Sequence, residues 1–148
     1  FDVHHGNGTQ DVLWNDPDCL FISIHQDEIF PFTGSKNETG IKNNILNIPV
    51  NAGSNSNEFR NIVDNIIIPR LIKFEPEFLL ISAGFDGHQD DQISQTQWAE
   101  SDFIYITKKL KSVANQFCED RIVSCLEGGY HLEKLSTCCV SHIKTLME

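Results

Sequence analysis

The sequence has no long hydrophobic run. Its cleanest apolar stretch, Phe78-Leu79-Leu80-Ile81, has strand length and falls far short of the ~20 residues that cross a membrane as a helix. Basic residues are scarce: 11 lysines and arginines stand against 21 aspartates and glutamates, a formal charge of −10. That balance argues against direct nucleic-acid binding and against an anionic membrane surface, and it leaves room for a cationic partner such as a lysine-rich protein tail. No CxxC pair and no signal peptide occur, and the five cysteines are an odd number. A reduced intracellular setting is expected rather than a disulfide framework. Cys19, Cys125, Cys138 and Cys139 lie in apolar surroundings and read as small core residues. An initiator methionine is missing as well. The chain opens Phe1-Asp2-Val3-His4-His5, inside what reads as a strand, so a piece of a longer protein is expected.

What remains is ordinary globular material. With 148 residues, 40% hydrophobic and 22% charged, the chain can form one domain with a core of its own, and disorder is excluded. Strand and helix signals alternate along it. A first helical turn is expected in 7–15, ended by Pro17. Strands are expected at 19–25, 44–50 (Pro49 marking an edge or a strand end), 78–83 and 122–126. Long and turn-rich loops fill 26–43 and 51–57. Phe59, Ile62, Val63, Ile66 and Ile67 share one helical face before Pro69 limits or kinks the helix. Phe103, Ile106, Leu110, Val113 and Phe117 step by three and four, and Leu132, Leu135, Cys139, Ile143 and Leu146 form a last amphipathic helix. Such alternation implies an α/β fold with a parallel sheet flanked by helices on both faces. Ligands of such sheets bind beyond the carboxyl ends of the strands.

Three strand ends carry unusual residues. In Asp2-Val3-His4-His5-Gly6-Asn7-Gly8, a strand directs Asp2 and His4 to one face, where a carboxylate and an imidazole can grip one ion. In Ser82-Ala83-Gly84-Phe85-Asp86-Gly87-His88-Gln89-Asp90-Asp91, Asp86 just past a buried strand is either a ligand or a turn cap. Asp90 and Asp91, further out, read as a solvated acidic loop. In Leu126-Glu127-Gly128-Gly129-Tyr130, two glycines permit close backbone approach to a ligand. Tyr130 then stands on the rim or packs as a surface aromatic. Two carboxylates and an imidazole with an open fourth position are the donor set of a catalytic zinc, though Fe(II) also accepts it. A tyrosine beside such a metal can donate to a developing oxyanion, which points to metal-assisted hydrolysis of a carbonyl compound.

These three motifs, in this order, resemble the zinc-dependent histone deacetylases, class II in particular, over all 148 residues. The resemblance implies the arginase/deacetylase α/β fold and places residues 1–148 in the C-terminal part of a single catalytic domain. It implies that Asp2, His4 and Asp86 hold zinc, that Tyr130 stabilises the tetrahedral intermediate, and that Asn7 supports a catalytic histidine. His5 matches a histidine that follows the ligand in the family. Phe30 matches a wall of the acyl-lysine tunnel, Gly128 and Gly129 line it beside Tyr130, and Ser23 and Ile24 match a structural potassium site.

The same resemblance implies acetylated protein tails as substrates, corepressor-type partners, a role in chromatin regulation, and a nuclear or cytoplasmic location. The family's adjacent histidine pair, which supplies the general base, lies upstream and is not in this sequence. The upstream half of the catalytic domain is therefore an expected partner, and the chain alone is expected to be inactive. The loop after Asp86 departs from the class II pattern Asp-Pro-Leu-Gly-Gly, since Gln92-Ile93-Ser94 follow Asp91. Ile93 falls where polyamine-selective relatives carry an acidic residue. Alternatives are an acetylpolyamine or small-amide hydrolase, and a non-catalytic interaction fragment. Arginase shares the fold, but neutral Asn7 stands where a paired-metal site needs another acid. Of the other histidines, His25 reads as a hydrogen-bonded core residue, His88 as solvated, and His131 and His142 as helix-surface residues.

Overall fold

The computed structural model describes residues 1–148. A short helix, α1 (Asn7–Leu13), precedes strands β1 (Phe21–Gln26) and β2 (Ile45–Val50), which pair in parallel from Phe21 opposite Ile45 to Gln26 opposite Val50. β2 has no second neighbour, so Pro49 sits on an edge strand, where its missing N–H interrupts no further ladder. A helical stretch follows as α2 (Ser56–Ile62), a π-turn (Val63–Ile67) and α3 (Ile68–Phe74). Strand β3 (Leu79–Ala83), the long helix α4 (Glu100–Phe117), strand β4 (Ile122–Leu126) and helix α5 (Leu132–Met147) complete the chain. β3 pairs with β4 in parallel, Leu79 opposite Ile122 and Ala83 opposite Leu126.

The parallel strands flanked by helices are as expected, and they hydrogen-bond as two separate pairs. Other expectations are corrected. The opening residues are not a strand. They are a bridge between the pairs: Gln26 N–H donates to Val3 O at 2.9 Å, and Gly84 N–H donates to Phe1 O at 2.6 Å. The helix that Pro69 was expected to limit or kink is interrupted before it by the π-turn and then runs on to Phe74. Ile68 N–H reaches back to Val63 O, five residues away, and a new α-helical turn starts there. Pro69 thus falls in a first turn, where no intrahelical N–H is required.

A further correction concerns coverage. β3 alternates between buried Leu79, Ile81 and Ala83 and exposed Leu80 and Ser82, and Val123 and Cys125 of β4, paired with Leu80 and Ser82, share that exposure. One face of this strand pair is therefore open, and Cys125, expected in the core, lies on it.

The core sits under the other face. Phe103, Ile106, Leu110 and Val113 of α4 meet Phe59, Ile62 and Val63 of the α2 region and the inward residues of the strands. Trp98 is fully buried, with its ring centroid 4.6 Å from that of Phe59. Charge enters this core only with partners. Asp102 is fully buried and accepts from Arg60 Nε at 2.7 Å, from the Ala99 N–H at 2.9 Å and from the Ser56 hydroxyl at 2.5 Å. These bonds hold the start of α4 against α2. His142 corrects its helix-surface reading: it is buried, with Nδ1 2.7 Å from Thr107 Oγ1 and Nε2 2.8 Å from Ser124 Oγ.

Candidate active site

The bridge Phe1–Val3, the turn after β3 and the turn after β4 meet at one end of the molecule. Asp2 is fixed by two backbone donors: His4 N–H to Oδ1 at 2.7 Å and Gly128 N–H to Oδ2 at 3.0 Å. Asp86 is fully buried and takes the Val3 N–H on Oδ1 at 2.9 Å. His4 Nδ1 lies 2.9 Å from Asp86 Oδ2 and 3.2 Å from Asp2 Oδ1. One ligand atom from each of Asp2, His4 and Asp86 falls within 4.8 Å of the others. Sequence reasoning therefore named three residues that the fold does bring together, with His4 and Asp86 82 residues apart in the chain.

Two glycines make the approach possible. A β-carbon on Gly84 would strike the Asp2 carboxylate, and one on Gly128 would strike the carboxylates of both Asp86 and Asp2. Only residues without a side chain let the backbone come this close.

The electrostatics ask for a cation. Burial, then the neighbouring Asp2 charge, raises the Asp86 carboxyl from its ordinary 3.8 to about 6, against the pull of the Val3 N–H and His4. Two carboxylates and one ring nitrogen aimed at a common point make a donor set that fits a divalent metal, and the local excess of negative charge is what such an ion would relieve. Asp2, His4, Phe30, Gly128 and Tyr130 all line one cavity of 520 Å³. The Tyr130 phenol is pushed up by burial and by the Asp86, Asp2 and Asp91 carboxylates, so it keeps its proton at neutral pH and can donate.

Other candidates are placed differently. Ser23 and Ile24 are buried in β1 and also line that cavity, and Ser23 Oγ lies 2.9 Å from His25 Nδ1. His25 donates or accepts at both ring nitrogens in the core, as expected. Gly129 takes a backbone φ of 141° and backs onto Leu135, so it shapes the exit of the loop instead of the cavity wall. His5 touches the cavity, yet both its ring nitrogens are engaged away from the carboxylates, by Thr33 Oγ1 at 2.7 Å and Gln10 Oε1 at 2.9 Å. Asn7 begins α1, is exposed, and lines a second cavity of 390 Å³ with His5. Ile93 stands half-exposed in the loop after Asp86 and lines neither cavity.

Sequence reasoning missed Asp91. It is buried, not solvated, and its carboxylate accepts the N–H groups of Tyr130, His131 and Ile93. His88 is likewise buried, because the loop folds back on Trp98 and shields its ring.

The family model for the histone deacetylase domain matches residues 1–146. This chain belongs to the histone deacetylase family. It is 43% identical over 161 residues to Type-2 histone deacetylase 2 of Dictyostelium discoideum, a match that covers all of this chain and 9% of that protein. Among solved structures, the HDA15 HD domain superposes with a TM-score of 0.91 at 29% identity, covering 99% of this chain and 42% of that one. The acetylpolyamine aminohydrolase of Burkholderia pseudomallei superposes with a TM-score of 0.87 at 30% identity, covering 98% of this chain and 42% of that one. The chain thus has the α/β deacetylase fold expected of it, and it spans less than half the length of each of these three relatives.

Proposed function

We propose that this chain carries the metal-binding and oxyanion-stabilising part of a zinc-dependent lysine deacetylase. The observation behind the reading is the convergence of Asp2, His4 and Asp86, two of which, Asp2 and His4, line a cavity with Tyr130 on its wall. Those three residues would hold the zinc ion. The ion would supply Lewis-acid polarisation of the acetamide carbonyl and activation of the attacking water. Tyr130, kept protonated, donates its hydroxyl hydrogen to the oxygen on which negative charge develops. Phe30 lies against the aliphatic part of the acyl-lysine, and Gly128 keeps the backbone clear of the reacting carbon. Ser23 and Ile24, behind Asp2, are the proposed potassium site. The protons are moved by the histidine pair of the upstream half of the domain, because His5 has both ring nitrogens engaged. The open face of β3 and β4, with Leu80 and Val123 exposed, is the surface that this half would cover.

The loop after Asp86 bears on the substrate class. Ile93 is apolar and cannot pair with the distant ammonium of an acetylated polyamine. The neighbouring acids do not replace that charge. Asp91 is turned inward onto backbone donors, and Asp90 lies 3.4 Å from Lys134 Nζ. This supports acetyl-lysine in proteins as the substrate. The likeness to an acetylpolyamine aminohydrolase keeps the small-amine substrate as the second reading. Side-by-side kcat/KM values of the full-length protein on an acetyl-lysine peptide and on acetylspermidine decide between them. A clear preference for acetylspermidine overturns the protein-deacetylase reading, and hydrolysis of neither overturns both.

A further inference from the structure

We infer that Asp91 is a positioning residue for Tyr130, tying the loop after β3 to the Gly128-Gly129-Tyr130 turn so that the phenol is held over the Asp2, His4 and Asp86 cluster. The inference rests on the role proposed above for Tyr130.

Tyr130 has little else to hold it. Its residue is 60% exposed, and the preceding Gly129 has a left-handed φ of 141°, so its backbone is free to choose other conformations. Against this stands one carboxylate. Asp91 is 5% exposed; its Oδ2 accepts the Tyr130 N–H at 2.7 Å and the His131 N–H at 3.0 Å, and its Oδ1 accepts the Ile93 N–H at 3.1 Å. Its neighbour Asp90 takes the ionic partner, Lys134 at 3.4 Å, and Asp91 is left to the backbone. Charge-assisted bonds to backbone N–H groups are roughly twice as strong as neutral ones, and buried they are directional anchors.

The placement matters because Asp86 and Asp91 lie on one short segment. At one end it offers a metal ligand, and at the other it grips the backbone nitrogen of the oxyanion donor. The distance between ligand and phenol is thereby set through a rigid loop. Asp91 itself touches neither substrate nor ion in this role. A misplacement of about 1 Å at a reacting group costs about 10²-fold in rate.

The test uses the zinc-loaded full-length protein. Wild-type turnover is measured first, on an acetyl-lysine peptide and on acetylspermidine. Absent hydrolysis of both overturns the proposed function. With turnover established, Asp91→Ala is expected to keep full zinc content and a KM within about threefold of wild type. Its kcat is expected to fall about 10–100-fold. Hydrogen exchange should show the Tyr130 and His131 amides losing protection. In a Tyr130→Phe background the same substitution should cost less than about threefold more, because an effect exerted through the phenol has nothing left to act on. Asp91→Asn, which keeps the volume and one acceptor oxygen, is the variant to read if the alanine form does not fold, with a smaller kcat loss expected. Retained amide protection overturns the tether. Lost protection with unchanged kcat, or losses that multiply fully with Tyr130→Phe, overturns the positioning role while leaving the deacetylase reading intact.

Discussion

The floor and the rim of the cavity are built on opposite plans. On the floor, Asp2, His4 and Asp86 are cross-bonded to one another and to the Val3, His4 and Gly128 backbone, and glycine spacing leaves no slack between the turns. Its geometry exists before any ion arrives, which is what preorganised binding requires. On the rim, Phe30 and Tyr130 are more than half exposed. Tyr130 is secured through its backbone, by Asp91. On the proposed reading, the floor would serve every substrate alike and the rim would select among them.

Breaking the floor gives the largest expected effect. Asp86→Ala in the full-length protein should remove most of the zinc and nearly all activity, since one of three ligands is lost and a misshapen cavity is left. Metal analysis of the purified variant checks this, and full occupancy with normal turnover would remove Asp86 from the site. Tyr130→Phe should spare the floor and damage only the rim: zinc stays bound while kcat falls about 10²–10³-fold. A zinc-replete variant with wild-type kcat on acetyl-lysine peptides would strip Tyr130 of its role.

The floor's charge frustration has a pH signature in the metal-stripped protein. Asp86 binds its proton more tightly folded than unfolded, with a pKa of about 6 against 3.8. Its contribution to stability is therefore complete below about 4 and is lost as pH rises through 6, by on the order of 1–3 kcal/mol. Metal uptake runs the other way and weakens as pH falls below 6, because the proton competes with the ion. Thermal melts of the stripped protein across pH 4–7 should show the slope, and Asp86→Asn should flatten it. The smallest effect belongs to the loop after Asp86. Ile93→Glu should leave zinc content unchanged and move kcat/KM toward acetylspermidine by about tenfold relative to the acetyl-lysine peptide. No change in the ratio would show that Ile93 does not face the substrate's distal amine.

Much was legible in the amino-acid sequence. The four strands and the two long amphipathic helices follow from local periodicity, and Asp2, His4 and Asp86 follow from residue types at strand ends. Those signals are local, since each needs only a few neighbouring residues to be seen. What the sequence hid was decided at long range. Asp91 looks like a solvated acid until Tyr130 and His131, 39 and 40 residues later, turn their N–H groups onto it. His142 looks like a helix-surface residue until Thr107 and Ser124 close on its ring. The opening segment reads as a strand by composition, yet with β1 on one side and the end of β3 on the other it makes one backbone link to the first and two to the second. By itself, then, the sequence determined the α/β element order and the ligand types. Only the tertiary structure decided which acids are buried, which face of β3 and β4 stays open, and what holds Tyr130. Burial of a polar group is favourable only where distant donors converge on it, and that convergence is a property of the packed chain.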